Sequence, residues 1–296
     1  MRRRSWNVRI VLVAVLLGLG PAGAEPPTAH EIMSRAHART EGAHSTRQLH
    51  MLLVDARGNE RQRVLRSLSR EVGEDSQSLL FFLSPPDVRG TGFLSHDFAE
   101  AARDADQWLY LPALRRVKRI AATDKSASFM GSDLTFADLT RRDLGAFDYR
   151  LLGTSEVRGT AVWQIEATPR SEREIETTGY TRSLLFVRTD NYFVVCSVHW
   201  LRDAGRRKYV DVQALEEIDG VWVATRMHIA TQQGEETLHQ TLLSTSQVDF
   251  RQPLSEEHFT LKALARGPLA APGPGETAVP LARREPETEP TLDPEA

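Results

Sequence analysis

Residues 106–139 read DQWLYLPALRRVKRIAATDKSASFMGSDLTFADL, and the fold turns on how this stretch is understood. Trp108-Leu109-Tyr110-Leu111 has the aromatic make-up of a short strand, and Pro112 stops it because proline cannot donate to a sheet ladder. Arg115, Arg116, Lys118 and Arg119 form a basic knot interleaved with Leu114, Val117 and Ile120. A loop of small residues then carries Phe129, Met130 and Gly131. Leu134, Phe136 and Leu139 follow at amphipathic spacing, which predicts a helix over 133–143. Strand, charge, apolar loop and helix in immediate succession describe the mouth of an apolar pocket better than they describe a connector.

To either side the dominant period is two. Strands are expected over 44–54 and 60–72, joined at Arg57-Gly58-Asn59, then over 78–83, 90–98 and 108–111. After the central stretch they resume over 149–157, 162–168, 183–188, 192–201, 208–218, 221–231 and 236–250. Asp219-Gly220 is suited to a two-residue hairpin, and Arg158-Gly159-Thr160 to a tight turn. Trp163 and Ile165 alternate with Gln164 and Glu166, while Val221, Val223, Met227 and Ile229 oppose Trp222, Arg226 and His228. Thr28 with Glu31 makes a capping box for a helix over 28–41, and a helical tail is expected over 255–264. Roughly ten or eleven strands linked in order by short turns make an antiparallel meander, which curls into a barrel or half-barrel. The fold class is therefore mainly β (α+β): a half-open antiparallel barrel with short helices as a lid. Two short helices are too small to fill such a sheet, which leaves room for a cavity.

The chain has 296 residues, but its ends differ from its middle. Arg2, Arg3 and Arg4, the apolar run over 10–19 and Ala22-Gly23-Ala24 have the three parts of a cleavable signal peptide over 1–24. That run is too short to span a bilayer, which takes about 20 residues. From 267 to 296 proline, glutamate and threonine dominate, a composition that cannot offset its ordering entropy, so disorder is expected there. One domain over 25–266 remains, and export to a periplasm is expected. Cys196 is the single cysteine, which excludes an internal disulfide; its apolar neighbours make it a buried, inert thiol. A net charge of −3 argues against a general nucleic-acid binder.

Catalytic constellations are missing. The one G-x-G-x-x-G match, starting at Gly18, lies in the signal segment and follows no strand. His30, His37 and His44 recur every seven residues; on a helix, neighbours would stand about 10 Å apart, too far to share a metal. Asp124-Lys125-Ser126 and the carboxylates of Asp133 and Asp138 have no partner base at a recognisable spacing, so a hydrolase ranks last among the readings. The basic knot has two readings that stay open: charges that discourage edge-to-edge strand pairing, or a patch for phosphate headgroups or an acidic protein face. The Phe129-Met130-Gly131 loop likewise reads either as core packing or as a lid over an apolar ligand.

Residues 108–117, then Ser128-Phe129-Met130-Gly131-Ser132-Asp133 and Phe136-Ala137-Asp138-Leu139, resemble the signature of the LolA-like outer-membrane lipoprotein-sorting family, over about 90–259 with order and spacing kept. The resemblance implies a half-open barrel like those of LolA, LolB and RseB, binding of lipoprotein acyl chains or phospholipid, no catalysis and no cofactor, and it makes an RND-type inner-membrane exporter an expected partner. With the charge and the histidine spacing setting aside nucleic acid and metal, neither is expected, and a monomer is. An alternative role is that of an RseB-like sensor or exporter accessory. Burying a chain of roughly 15 carbons gains on the order of 10 kcal/mol, and a carrier that releases its cargo needs a lid with two states of similar energy. The residues expected to line the cavity are Leu109, Leu111, Phe129, Met130, Leu134, Phe136, Trp163, Ile165, Phe186, Val223 and Met227, with Arg115, Arg116, Lys118 and Arg119 as the headgroup or partner patch.

Overall fold

The structure, a computed structural model, describes residues 26–100, 103–203 and 205–268. The expected signal peptide and nearly all of the proline-rich tail lie outside the described residues. Between them run α1 (Ala29–His37), β1 (His44–Asp55), β2 (Glu60–Val72), β3 (Asp75–Ser84), β4 (Gly92–Asp97), β5 (Asp106–Leu111) and β6 (Arg116–Arg119). Then come β7 (Phe147–Val157), β8 (Thr160–Pro169), α2 (Glu172–Thr178), β9 (Tyr180–Arg188) and β10 (Val194–Leu201). β11 (Arg206–Ile218), β12 (Val221–Gln233), β13 (Glu236–Asp249) and α3 (Leu261–Arg266) complete the order.

All thirteen strands join one antiparallel sheet ordered β6-β5-β4-β3-β2-β1-β13-β12-β11-β10-β9-β8-β7. Its edges, β6 and β7, do not pair, so the barrel is half-open, and the strand count exceeds the ten or eleven expected. The topology explains the central stretch. The chain starts mid-sheet at β1, meanders out to one edge at β6, and must reach the other edge at β7 before meandering back to pair β13 with β1. Residues 120–146 make that crossing over one face of the sheet and are called the strap below.

Local chemistry sets the joints. Thr28 and Glu31 satisfy each other's backbone donors in the expected capping box, and Ile32 and Met33 bury the apolar side of α1 against the sheet. Asp219 and Gly220 turn the β11–β12 hairpin with φ of 47° and 80°, the positive pair that a two-residue connection requires. At Gly92 a Cβ would stand 2.7 Å from both Leu264 and Phe81, so glycine is what lets α3 pack down on β4.

One expectation fails. No α-helix forms over 133–143; the strap holds only 3-10 turns, at Ala122–Asp124, Ala137–Leu139 and Leu144–Ala146. Leu134, Phe136 and Leu139 have helical spacing, but the polar residues between them bond away from a helix. The Asp138 carboxylate accepts from the Thr135 backbone N–H, and the Thr140 hydroxyl donates to the Ala137 carbonyl. The three recurring histidines do not share one helix: His30 and His37 lie in α1, and His44 opens β1.

Candidate functional site

The strap face carries two apolar clusters. Toward the β6 edge, Met51, Leu53, Leu65, Phe82, Phe93 and Leu109 pack against Ile120, Phe129 and Phe136 of the strap. Toward the β7 edge, Phe147, Ile165, Ala167, Leu185 and Val187 pack beneath α1. Strand register shows that these lie on one face. Met51 pairs with Leu243, Leu243 with Met227 and Met227 with Val212, while Val210, two residues back, pairs with Ser197 and Ser197 with Leu185.

Within the strap, residues 127–136 form a miniature hairpin. The Phe136 N–H donates to the Ala127 carbonyl and the Phe129 N–H to the Leu134 carbonyl. Met130 and Gly131 turn its tip at φ of 52° and 75°. Phe129 is pressed into the sheet, its ring centroid 5.9 Å from Phe82, 5.4 Å from Phe93 and 5.5 Å from Phe136.

What holds the strap down is polar. Arg63, itself buried, donates to the Met130 carbonyl, and the Gln107 amide donates to the Phe136 carbonyl at 2.8 Å. Asp133 accepts from the hydroxyls of Thr231 at 2.6 Å and Thr241 at 2.7 Å, and pairs with His239 Nδ1 at 2.7 Å. Asp138 takes the Tyr180 hydroxyl at 2.6 Å and the Lys208 ammonium at 2.8 Å. Burial pushes the Asp138 carboxyl upward, but the Lys208 charge and the Lys208 and Tyr180 hydrogen bonds outweigh it and hold it well below the carboxylate range. The Tyr180 hydroxyl is pushed well above its ordinary value by burial and by Asp138. Tyr180 stacks on His199 at 4.4 Å, and burial keeps that imidazole well below its usual range, hence neutral. This bar of hydrogen-bonded groups crosses the face between the two apolar clusters.

The bar also accounts for the acidic residues that the sequence singled out in the strap. Both carboxylates spend their lone pairs on structural partners. The Thr231 and Thr241 hydroxyls donate to the Asp133 carboxylate, and Asp124 pairs with Lys118 at 3.5 Å. Among the described residues no cluster of His, Cys, Asp or Glu is built to hold a metal ion.

Of the expected lining residues, Leu109, Leu111, Phe129, Met130, Leu134 and Phe136 meet in the first cluster, and Trp163 and Ile165 in the second. Met227, by register, lies on the same face between them, while Val223 is buried beyond two register shifts of the β11–β12 ladder and joins neither cluster. Phe186 does not join them: it pairs with Gln164 and packs on the opposite face with Val162, Leu184, Cys196 and Val198. Met130 and Leu134 of the strap, and Leu111, Leu49 and Leu243 packed against the same cluster, are only half-buried, so some apolar surface is left uncovered there. Where β5 and β6 meet the strap, a hollow of about 330 Å³ is lined by Asp104, Ala105, Arg119, Ile120, Ala121, Ala122 and Lys125. Arg115, Arg116, Lys118 and Arg119 are exposed on the edge hairpin. Sequence reasoning missed Lys208, Tyr180, His239 and Thr241, which meet the strap across tens of residues of chain, and His199, which stacks on Tyr180. Only Asp133 and Asp138 gave a signal, as two acids in an otherwise apolar stretch.

An unclosed antiparallel sheet with a strapped apolar face defines the class of half-open barrels, and solved structures agree. The chain is similar to a domain described as an outer membrane lipoprotein-sorting protein from Vibrio parahaemolyticus, at 31% identity and a TM-score of 0.72, over 80% of this chain and 98% of that one. It is similar to a DUF1329 family protein from Desulfovibrio piger at 28% identity and a TM-score of 0.72, over 80% and 97% of the two chains. A LolA superfamily protein from Nitrosomonas europaea shares the fold at 18% identity and a TM-score of 0.61, over 80% of this chain and all of that one. A family model described as "uncharacterized protein" matches residues 74–266, and no curated protein matches. The chain belongs to the LolA-like outer-membrane lipoprotein-sorting family.

Proposed function

We propose that this protein is a non-catalytic periplasmic carrier that shelters acyl chains of lipoproteins or phospholipids during transfer between the inner and outer membranes. The observation that carries the reading is the way the strap face is covered. Two apolar clusters flank a cover that is mostly irregular backbone, held by side-chain bonds rather than by a packed helix. A cover of that kind can lift as a unit and leave the sheet intact, because its pins are few and none belongs to the strand ladder. Lifting it would expose Phe82, Phe93, Leu109 and Met51, an apolar bed for an extended hydrocarbon. In the described state Phe129 fills that bed, so on this reading Phe129 and Met130 are displaced as cargo enters. Residues 1–24 act as the export signal of the domain at 25–266, and 267–296 form its proline- and glutamate-rich tail.

Native mass spectrometry of protein purified from cells without detergent tests this. Adducts whose extracted masses are acyl lipids are expected. Protein that emerges free of lipid and takes none up from lysophospholipid or fatty acid would overturn the reading.

A further inference from the structure

The tip of the β5–β6 hairpin has a character that cargo binding does not use. Leu111 is followed by a 3-10 turn at Pro112–Leu114, closed by Arg115 at φ 47°. Leu114 is 67% exposed, against 42% for Val72 and 45% for Leu261, the other large apolar side chains described as exposed. Around it stand Arg115 and Arg116, which form no ion pair among the described residues. Lys118 and Arg119 lie one step back, paired with Asp124 and Asp106. Register sets the strand cations on both faces of the edge: Arg116 pairs with Leu111 and Lys118 with Leu109 on the strap face, Arg119 with Trp108 on the other. An apolar side chain at a turn apex inside a ring of cations is complementary to one surface in particular, a bilayer whose anionic headgroups overlie hydrocarbon.

We propose that this hairpin tip docks the protein on anionic membrane, with Leu114 entering the acyl boundary and Arg115 and Arg116 engaging headgroup phosphates. A protein strand adding to β6 is the rival. It is disfavoured because β6 is only four residues long and three of them are basic, the pattern that keeps sheet edges from pairing. Each basic residue near an anionic surface strengthens attachment roughly fivefold, and burying one leucine adds on the order of tenfold or more. Together these give reversible attachment, as a shuttling carrier needs. The site is also well placed, since β6 leads directly into Ile120 and the strap. Docking therefore sets the root of the strap beside the bilayer.

The proposal goes beyond cargo binding and is read separately from it, by flotation of the chain from residue 25 onward with vesicles of phosphatidylcholine alone or with added phosphatidylglycerol. Wild type is expected to float with the anionic vesicles only, and salt should reduce the bound fraction. Leu114→Asp and the pair Arg115→Glu with Arg116→Glu should each lower binding about tenfold or more, while Arg115→Lys with Arg116→Lys and Leu261→Asp leave it near wild type. These positions are exposed, so unchanged thermal midpoints keep the comparison valid. Failure of wild type to float, equal binding to neutral vesicles, or variants that float like wild type would overturn the proposal. Capture of an acidic protein at the hairpin without any vesicle binding would do the same. Fatty-acid uptake by the same variants reports on the carrier function alone: docking lost with uptake intact supports the hairpin's role, and uptake absent while flotation persists sinks only the carrier.

Discussion

Replacing Lys208 with methionine asks whether the strap is a separately opening cover. Lys208 is 3% exposed, and its ammonium bonds both Asp138 and the Tyr180 hydroxyl at 2.8 Å. The variant leaves the Asp138 carboxylate buried without its cation. Removing one partner of such a buried pair costs about 3–5 kcal/mol. At 1.36 kcal/mol per decade, strap opening should become about two to four decades more frequent. Hydrogen exchange reads this directly, because the amides of Phe129, Ser132 and Phe136 are protected only by bonds within the strap hairpin. Those amides should exchange much faster in the variant while amides of β1 and β13 keep most of their protection. Adding Asp138→Leu should restore much of the loss, since the uncompensated charge goes with it. If strap and strand amides lose protection in parallel, the strap is part of the global cooperative unit, and a cover that lifts alone is refuted.

Other outcomes follow from the same geometry. Asp97 is pushed up to about 7 by burial, against the pull of Ser95 and Lys125. Its folded form keeps a proton that the unfolded chain releases, so this contribution is fully present below about pH 4 and is lost as pH rises to about 7, on the order of 4 kcal/mol. Urea midpoints at about pH 5 and about pH 8 should show that slope, and Asp97→Asn should flatten it; an unchanged slope in the variant rejects the assignment. Phe129→Ala, which empties a fully buried aromatic site, should cost about 3–5 kcal/mol in chemical denaturation. Added fatty acid should recover part of that loss if the ring and the cargo share one bed, and no recovery would place the cargo elsewhere. Burial and the nearby Asp211 push the Cys196 thiol up to about 12, so iodoacetamide should leave the native protein unmodified and label it only in denaturant. Rapid labelling of folded protein would show that this cluster is open to solvent.

Much of the sheet was legible because its signals are local. Hairpins carry their turn residues in place, as at Asp219-Gly220 and Arg158-Gly159, and alternation puts Trp163 and Ile165 on one face as read. The strap was misread as helical because apolar spacing at Leu134, Phe136 and Leu139 cannot distinguish a helix from an irregular segment pinned at intervals. The discriminating facts, Asp133 on Thr231, His239 and Thr241 and Asp138 on Tyr180 and Lys208, are tertiary. α2 did leave a usable sign: Ser171 caps the Glu174 N–H, and Ser-x-x-Glu opens the helix. Phe186 was placed on the wrong face for the proposed bed because an apolar run such as Leu184-Leu185-Phe186-Val187, buried on both sides, has no period to read.

The most direct test locks the strap to the sheet. Asp133 and Thr241 touch through backbone and side chain, the Asp133 N–H lying 2.9 Å from the Thr241 hydroxyl, so cysteines at these two positions can be joined or parted by oxidant and reductant. Binding of a fluorescent fatty acid is then measured on one sample in both states. The account predicts uptake when the bond is reduced and little or none when it is closed. Equal uptake in the two states would contradict it, because the acyl chain would then bind without the strap moving.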